Sequence, residues 1–195
     1  MKVLGLTGGM GMGKSTAAAA FRRAHIPVFD ADATVHQLQA RGGRAVRAIG
    51  AAFPGTVRDG SVDRVALRKA VLGKPDALAR LERILHPMVE QEERAFVGRA
   101  RRRGSRLVVL DIPLLFETGG DRRVDRIVVV SAPRAVQMHR IRSRRSMNAA
   151  DIAAVIARQM PDAEKRLRAD VIVRTGLSRH HSLKTLRRLI KEVIA

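Results

Sequence analysis

Gly8-Gly9-Met10-Gly11-Met12-Gly13-Lys14-Ser15 fits the pattern GxxxxGK[S/T], a spacing suited to gripping phosphate. Glycines let the backbone adopt positive φ and approach a ligand closely, so successive N–H groups can point at phosphate oxygens. Lys14 is then expected to reach the β and γ phosphates of ATP, Ser15 to ligate Mg²⁺, and Thr16 to assist near the α phosphate. Gly9, Gly11, Met12 and Gly13 are expected to contribute backbone to the same ATP site. The competing reading is a glycine-rich turn that binds nothing.

Loops of this kind serve kinases, GTPases, ATPases and motors alike, so the carboxylates must separate these classes. Asp30, Asp32 and Asp111 each follow a predicted strand, and in a parallel sheet ligands lie beyond the C-terminal strand ends. A kinase needs a carboxylate that orients the attacking hydroxyl and accepts its proton, which suits Asp32. Asp111 suits a role toward Mg²⁺, directly or through water. Asp is also favoured at helix caps and strand ends, which is the alternative for all three. His180-His181 has no carboxylate at metal-ligand spacing and reads as surface near a helix start. Met138, Met147 and Met160 read as packing.

The elements that must position these groups can be traced along the chain. Lys2 to Leu6 reads as a strand, Ser15 to Ala24 as an alanine-rich helix, and Ile26 to Phe29 as a second strand. From Thr34 to Arg103 no convincing β run appears. Leu78, Leu81, Ile84 and Leu85 instead recur at helical spacing, and His86-Pro87 reads either as a helix break or as a functional pair. The continuous apolar runs Leu107–Leu110 and Ile127–Val130 suit parallel strands buried on both faces. Helices are expected over Pro133 to Ile141, Asn148 to Arg158 and Ser182 to Ile194, with a last strand over Ala169 to Val173. Alternation of this kind predicts an α/β fold, a parallel sheet flanked by helices.

With 195 residues, 46% of them hydrophobic, the chain can bury one substantial core with a small appended subdomain. The absence of cysteine excludes disulfides, thiolate metal sites and cysteine nucleophiles. No apolar run is long enough to span a bilayer and no export signal opens the chain, so a cytoplasmic location and no membrane partner are expected. A formal net charge of +20 favours anionic partners, either phosphorylated metabolites or nucleic acid. With no Trp, no Tyr and five Phe, the aromatic platforms of a single-strand binder are scarce. Much of the charge can equally be a solvated arginine-rich face.

Taken in order, several segments make the chain similar to the dephospho-CoA kinases, the last enzymes of coenzyme A synthesis. They are Leu4 to Thr16, Asp30-Ala31-Asp32, Leu81-Glu82 with His86-Pro87, Asp111-Ile112-Pro113-Leu114-Leu115-Phe116-Glu117, and Gln159 followed by Ala169-Asp170. The resemblance implies transfer of the γ-phosphoryl of ATP to the ribose 3′-hydroxyl of dephospho-CoA, with Mg²⁺ as cofactor. It implies a P-loop kinase core over 1–33, 104–138 and 166–195, a helical acceptor-binding subdomain over 34–103, and a lid over 139–165. Asp32 matches the family's general base. Arg140, in the run that also holds Arg142, Arg144 and Arg145, matches the lid arginines that approach the ATP phosphates. Acceptor binding is implied for Thr7, Asp32, His86, Pro113 and Leu114. Met12, Arg145 and Arg174 depart from the family pattern, which has Ser, Asp and Asn at those places.

Two other readings remain at this level. One is a different small-molecule P-loop kinase, with a nucleotide or shikimate-like acceptor, sharing Lys14 and Ser15 but needing another pocket. The other is an ATP-switched nucleic-acid-binding protein, whose affinity would fall steeply with salt. The order of motifs favours the kinase with ATP and dephospho-CoA as partners, requiring no nucleic acid and no obligate protein partner.

Overall fold

A computed structural model describes residues 1–143 and 149–194. In chain order its elements begin with β1 (Lys2–Thr7), α1 (Lys14–Arg23), β2 (Val28–Asp30), α2 (Ala31–Gln39), α3 (Val46–Ala52), β3 (Val57–Arg58), β4 (Ser61–Val62), α4 (Arg64–Val71) and α5 (Pro75–Arg102). There follow β5 (Leu107–Asp111), a 3₁₀ turn (Gly120–Arg123), β6 (Arg126–Ser131), α6 (Arg134–Arg142), α7 (Ala149–Ala157), α8 (Asp162–Leu167), β7 (Val171–Arg174) and α9 (Arg179–Ile194). Arg144, Arg145, Met147 and Asn148 lie outside the described residues. Two compact units divide the chain: Met1–Phe29 with Arg99–Ala195, and Asp30–Gly98.

The first unit is built on a five-stranded sheet in the order β2-β5-β1-β6-β7. β1 pairs in parallel with β5, Leu6 opposite Asp111, and with β6, Thr7 opposite Val129; β6 pairs in parallel with β7. All five residues of β5 and Val128–Val130 of β6 are buried, the burial expected of strands covered on both faces. These registers bring Thr7, Asp111 and Ser131 to the carboxyl edge of the sheet, where an open α/β fold binds its ligands.

Alanine content explains how closely α1 lies on this sheet. Ala17, Ala18 and Phe21 are buried in one cluster with Leu4, Leu6, Val109, Val128 and, from α9, Leu186 and Leu189. Small residues let the helix backbone approach, and Phe21 fills the space left between them. Each fully buried Leu or Phe contributes about 1.5–3 kcal/mol relative to exposure. α9 begins three residues earlier than its periodicity suggests, because the Ser178 hydroxyl accepts the His181 N–H at 3.0 Å as an N-cap contact. His180 and His181 are exposed, as expected.

The second unit has its own core, formed by Leu38, Ala45, Ile49, Phe53, Val62, Leu67, Leu81 and Leu85. It differs from the expected all-helical insertion in two ways. β3 and β4 form an antiparallel pair, Val57 opposite Val62 and Arg58 opposite Ser61. Their turn, Asp59-Gly60, places both residues at positive φ (48° and 73°), the geometry that an Asp-Gly hairpin turn favours. The second difference is that α5 continues through Pro87 instead of breaking there. Leu81, Leu85, Met88 and Val89 all pack on the unit's core, so burial on both sides of the proline outweighs its lost N–H. No helix among the described residues is long and apolar enough to cross a membrane.

Candidate active site

The phosphate loop runs from the end of β1 into α1 with the backbone its sequence requires. Gly11 and Gly13 sit at φ 77° and 94°, in the left-handed region that favours glycine. A Cβ on Gly11 would also stand 2.8 Å from Ile141 Cγ1 and 3.0 Å from the Gln137 carbonyl oxygen. Gly13 occupies the N-cap position of α1 with no side-chain cap, so no side chain at the cap competes with an external anion for the first amides of the helix.

Side chains lock this loop from several directions. The Lys14 ammonium lies 2.5 Å from Asp111 Oδ1, with the two side chains 17% and 5% exposed. Pairing a lysine with a strand-end carboxylate keeps its charge satisfied until phosphate oxygens compete for it. Arg140, from the last turn of α6, donates through Nη1 to the Gly11 carbonyl (3.3 Å) and Thr175 Oγ1 (3.1 Å), and through Nη2 to the Thr175 carbonyl (2.7 Å). The Thr175 hydroxyl in turn donates to the Met12 carbonyl at 2.5 Å. Met12 is buried, and its Sδ accepts the Ala132 N–H at 3.1 Å, which gives the loop an apolar anchor. Gln137 Nε2 donates to the Met10 carbonyl (2.8 Å) and Gln159 Oε1 accepts the Met10 N–H (2.9 Å).

The expected residues therefore fall into two groups. Lys14 with Asp111, and Arg140 with the loop, are brought together within the first unit, beside Ser15 and Thr16, which are exposed at the start of α1. Thr7 is buried, and its hydroxyl donates to the Pro113 carbonyl at 3.0 Å, tying the loop's entry to the segment after β5; Leu114 is half-buried beside it in sequence. Asp32 and His86 belong to the second unit, where both are exposed. Asp32 lies in the first turn of α2, while the capping role falls to Asp30, whose Oδ1 accepts the Ala33 N–H at 3.0 Å. Arg142 and Arg174 are exposed.

Gln137, Thr175 and Lys165 were not expected at the site, because a lone polar residue in a helix or loop carries no pattern of its own; Glu117 entered only as the end of the Asp111–Glu117 segment, with no role. Beside the loop a cleft of about 870 Å³ is lined by Gly9, Met12, Ala132, Gln137, Arg174 and Leu177 among others, within the size range of small-molecule sites. Among the described residues no group of three His, Asp or Glu side chains could hold a metal by itself. The Ser15 hydroxyl and the Asp111 carboxylate offer hard oxygen ligands and too few for a complete cage, which fits a Mg²⁺ that keeps water and phosphate oxygens around it.

Known proteins give the same answer. A family profile described as dephospho-CoA kinase matches residues 2–179. The dephospho-CoA kinase of Paramagnetospirillum magneticum is 60% identical over 166 residues, covering 85% of this chain and 78% of that protein. That of Gluconobacter oxydans is 52% identical over 194 residues, covering 97% and 96%. Among solved structures, TT1252 from Thermus thermophilus superimposes with a TM-score of 0.84 at 32% identity, covering 100% of this chain and 98% of the other. The chain thus belongs to the dephospho-CoA kinase family, enzymes that phosphorylate dephospho-CoA with ATP to give coenzyme A.

Proposed function

We propose that the phosphate loop and Asp32 carry this transfer, moving the γ-phosphoryl of ATP onto the ribose 3′-hydroxyl of dephospho-CoA. The observation that supports the reading most strongly is the loop itself, with glycines at left-handed φ, a helix start that has no side-chain cap, and Lys14 held at the sheet edge by Asp111. In-line transfer spreads negative charge over the equatorial oxygens of the moving group, so fixed cations and amides lower its barrier. Loop amides and Lys14 hold the β and γ phosphates. Arg140 joins Lys14 in stabilising the transferred phosphoryl, and its guanidinium also engages the Gly11 carbonyl, which keeps that oxygen from the phosphates.

Asp32 orients the acceptor hydroxyl and takes its proton as the oxygen attacks, and ADP leaves with the bridging oxygen's charge held by Lys14. Ser15 and Asp111 would hold a Mg²⁺, directly or through water, which would supply charge neutralisation at the phosphates. Thr7, Pro113, Leu114 and His86 bind the acceptor, and the 870 Å³ cleft takes the nucleotide's base. The domain roles follow: 34–103 serves the acceptor, 139–165 acts as the lid, and the enzyme works in the cytoplasm.

A coupled ADP-release assay with dephospho-CoA, AMP, dCMP and shikimate, followed by mass detection of a product heavier by one phosphoryl group, tests the reading. Turnover confined to dephospho-CoA is expected. Good turnover of another acceptor without turnover of dephospho-CoA would overturn it.

A further inference from the structure

A closed circuit of polar contacts leaves the phosphate loop at Thr7 and returns to it at Met10. The Thr7 hydroxyl donates to the Pro113 carbonyl (3.0 Å), and the same oxygen accepts the Lys165 ammonium (3.3 Å). Lys165 Nζ pairs with Glu117 Oε1 at 2.8 Å, and that oxygen also accepts the Met160 N–H at 2.7 Å. One residue back, Gln159 Oε1 accepts the Met10 N–H. The circuit thus joins β1, the 113–117 segment and the 159–165 strap to the third position of the loop. Arg168, at the end of α8, adds a contact 5.8 Å from the Phe116 ring centre.

Lys165 makes this more than packing. Its side chain is 1% exposed, and burying an ammonium costs several kcal/mol before its partners offset it. An apolar residue of similar volume in place of Lys165 often stabilises a fold as well, so a buried ammonium at this place needs a reason beyond stability. Directional bonds supply one: an ammonium shared between a carboxylate and a carbonyl fixes the strap relative to the segment after β5, and Gln159 passes that fix to Met10.

We propose that Lys165 and Glu117 are positioning residues for phosphoryl transfer, acting through Gln159 to hold the Met10 peptide where the terminal phosphate is received. The proposal rests on the reading of the loop as the ATP site. Along that loop Thr16 serves the α phosphate and Lys14 the β and γ phosphates, so the residues before them, Gly11 and Met10, lie toward the γ end of the triphosphate. The circuit should therefore matter for ATP and for turnover, and little for ADP.

Two variants test this from opposite ends. Gln159→Leu breaks the last link and leaves the Lys165–Glu117 pair intact. Lys165→Met combined with Glu117→Leu removes both charges of the pair together, which avoids leaving one of them unpaired and keeps the fold. For each, kcat is expected to fall about 10- to 100-fold, the scale of a small misplacement at a reacting centre. By calorimetry ATP should lose affinity while ADP keeps its own, with melting temperatures near that of the parent. Combining all three substitutions should cost no more than the worse of the two, because the links act in series.

Unchanged kcat in Gln159→Leu, equal losses for ATP and ADP, or additive effects in the combined variant would overturn the proposal. Lys14→Ala, measured alongside, separates the two levels. If it lowers ATP affinity and turnover while the circuit variants do not, only the positioning role fails. If Lys14→Ala changes neither, the ATP-site reading fails and the proposal with it.

Discussion

Around the phosphate loop the polar side chains hold one another: Lys14 pairs with Asp111, Arg140 with Gly11 and Thr175, Gln159 and Gln137 with Met10. In the helical unit the residues assigned to the acceptor, Asp32 and His86, are exposed, and their side chains make no hydrogen bond with the described residues. On the proposed assignment, one end of the reaction is preorganised by the chain itself, whereas the other presents groups whose partners come with the substrate. The contrast follows from the chemistry: triphosphate is gripped by amides and cations that must be fixed before it arrives. A general base, by contrast, needs free lone pairs directed at an incoming hydroxyl.

Asp32→Asn tests the contrast most severely. Loss of the proton acceptor should lower kcat about 10²–10⁴-fold. Because Asp32 makes no contact that holds the loop, ATP affinity measured by calorimetry should stay within about twofold of the parent. Full turnover in this variant would remove Asp32 as base. A large loss of ATP affinity would show that the two ends are not separable.

Lys14→Ala should act in the opposite manner. Removing one preorganised cation from the transferred group is worth about 10²–10³-fold in turnover. ATP affinity should fall with it, and Asp111 loses its ammonium partner at a site 5% exposed, so the melting temperature should drop as well. Steady-state kinetics and a thermal melt on one preparation read all three. Retained ATP affinity would mean that the loop amides suffice without the lysine.

The same contrast decides what could be read from the sequence. Phosphate binding is written locally: a strand, a glycine-rich turn and a helix start lie within sixteen residues, and Leu107–Leu110 and Ile127–Val130 declare buried strands by being continuously apolar. Arg140's partner Thr175 is 35 residues away, Gln137's partner Met10 is 127, and Lys165's Pro113 contact is 52. No periodicity spans such distances, so these ties emerge only from the fold. The hairpin at Val57–Val62 was missed because two-residue strands are too short to alternate, although Asp59-Gly60 carries a turn signal. Pro87 misled in the other direction. Its local effect on the helix is real, but the apolar stripe from Leu81 to Val89 runs through it.

Ile49→Ala probes the helical unit apart from its chemistry. Ile49 is fully buried in that unit's core, so truncation should cost about 2–5 kcal/mol from lost transfer energy and the cavity left behind. Denaturant unfolding measures the loss. At temperatures where the variant is folded, ATP affinity should match the parent, since Ile49 belongs to the helical unit's own core. A parallel loss of ATP affinity would mean that the phosphate grip depends on the helical unit's packing.

The smallest expected effect is a dependence of the helical unit's stability on acid. Asp63 caps α4, and the Ala66 N–H bond holds its carboxyl below the ordinary carboxylate value; the Val65 N–H and the charges of Arg58 and Lys69 act in the same direction, against partial desolvation. A carboxyl whose folded pKa is depressed contributes stability that is fully present above its unfolded pKa and is lost as pH falls through the folded one. Asp63→Asn keeps an oxygen that can accept both N–H groups and removes the titrating charge. The parent should therefore melt higher than Asp63→Asn at neutral pH, and the gap should close on acidification below the ordinary carboxylate range. A gap that stayed constant with pH would mean that the cap's oxygen matters and its charge does not. A gap that widened in acid would contradict the assigned direction of the shift.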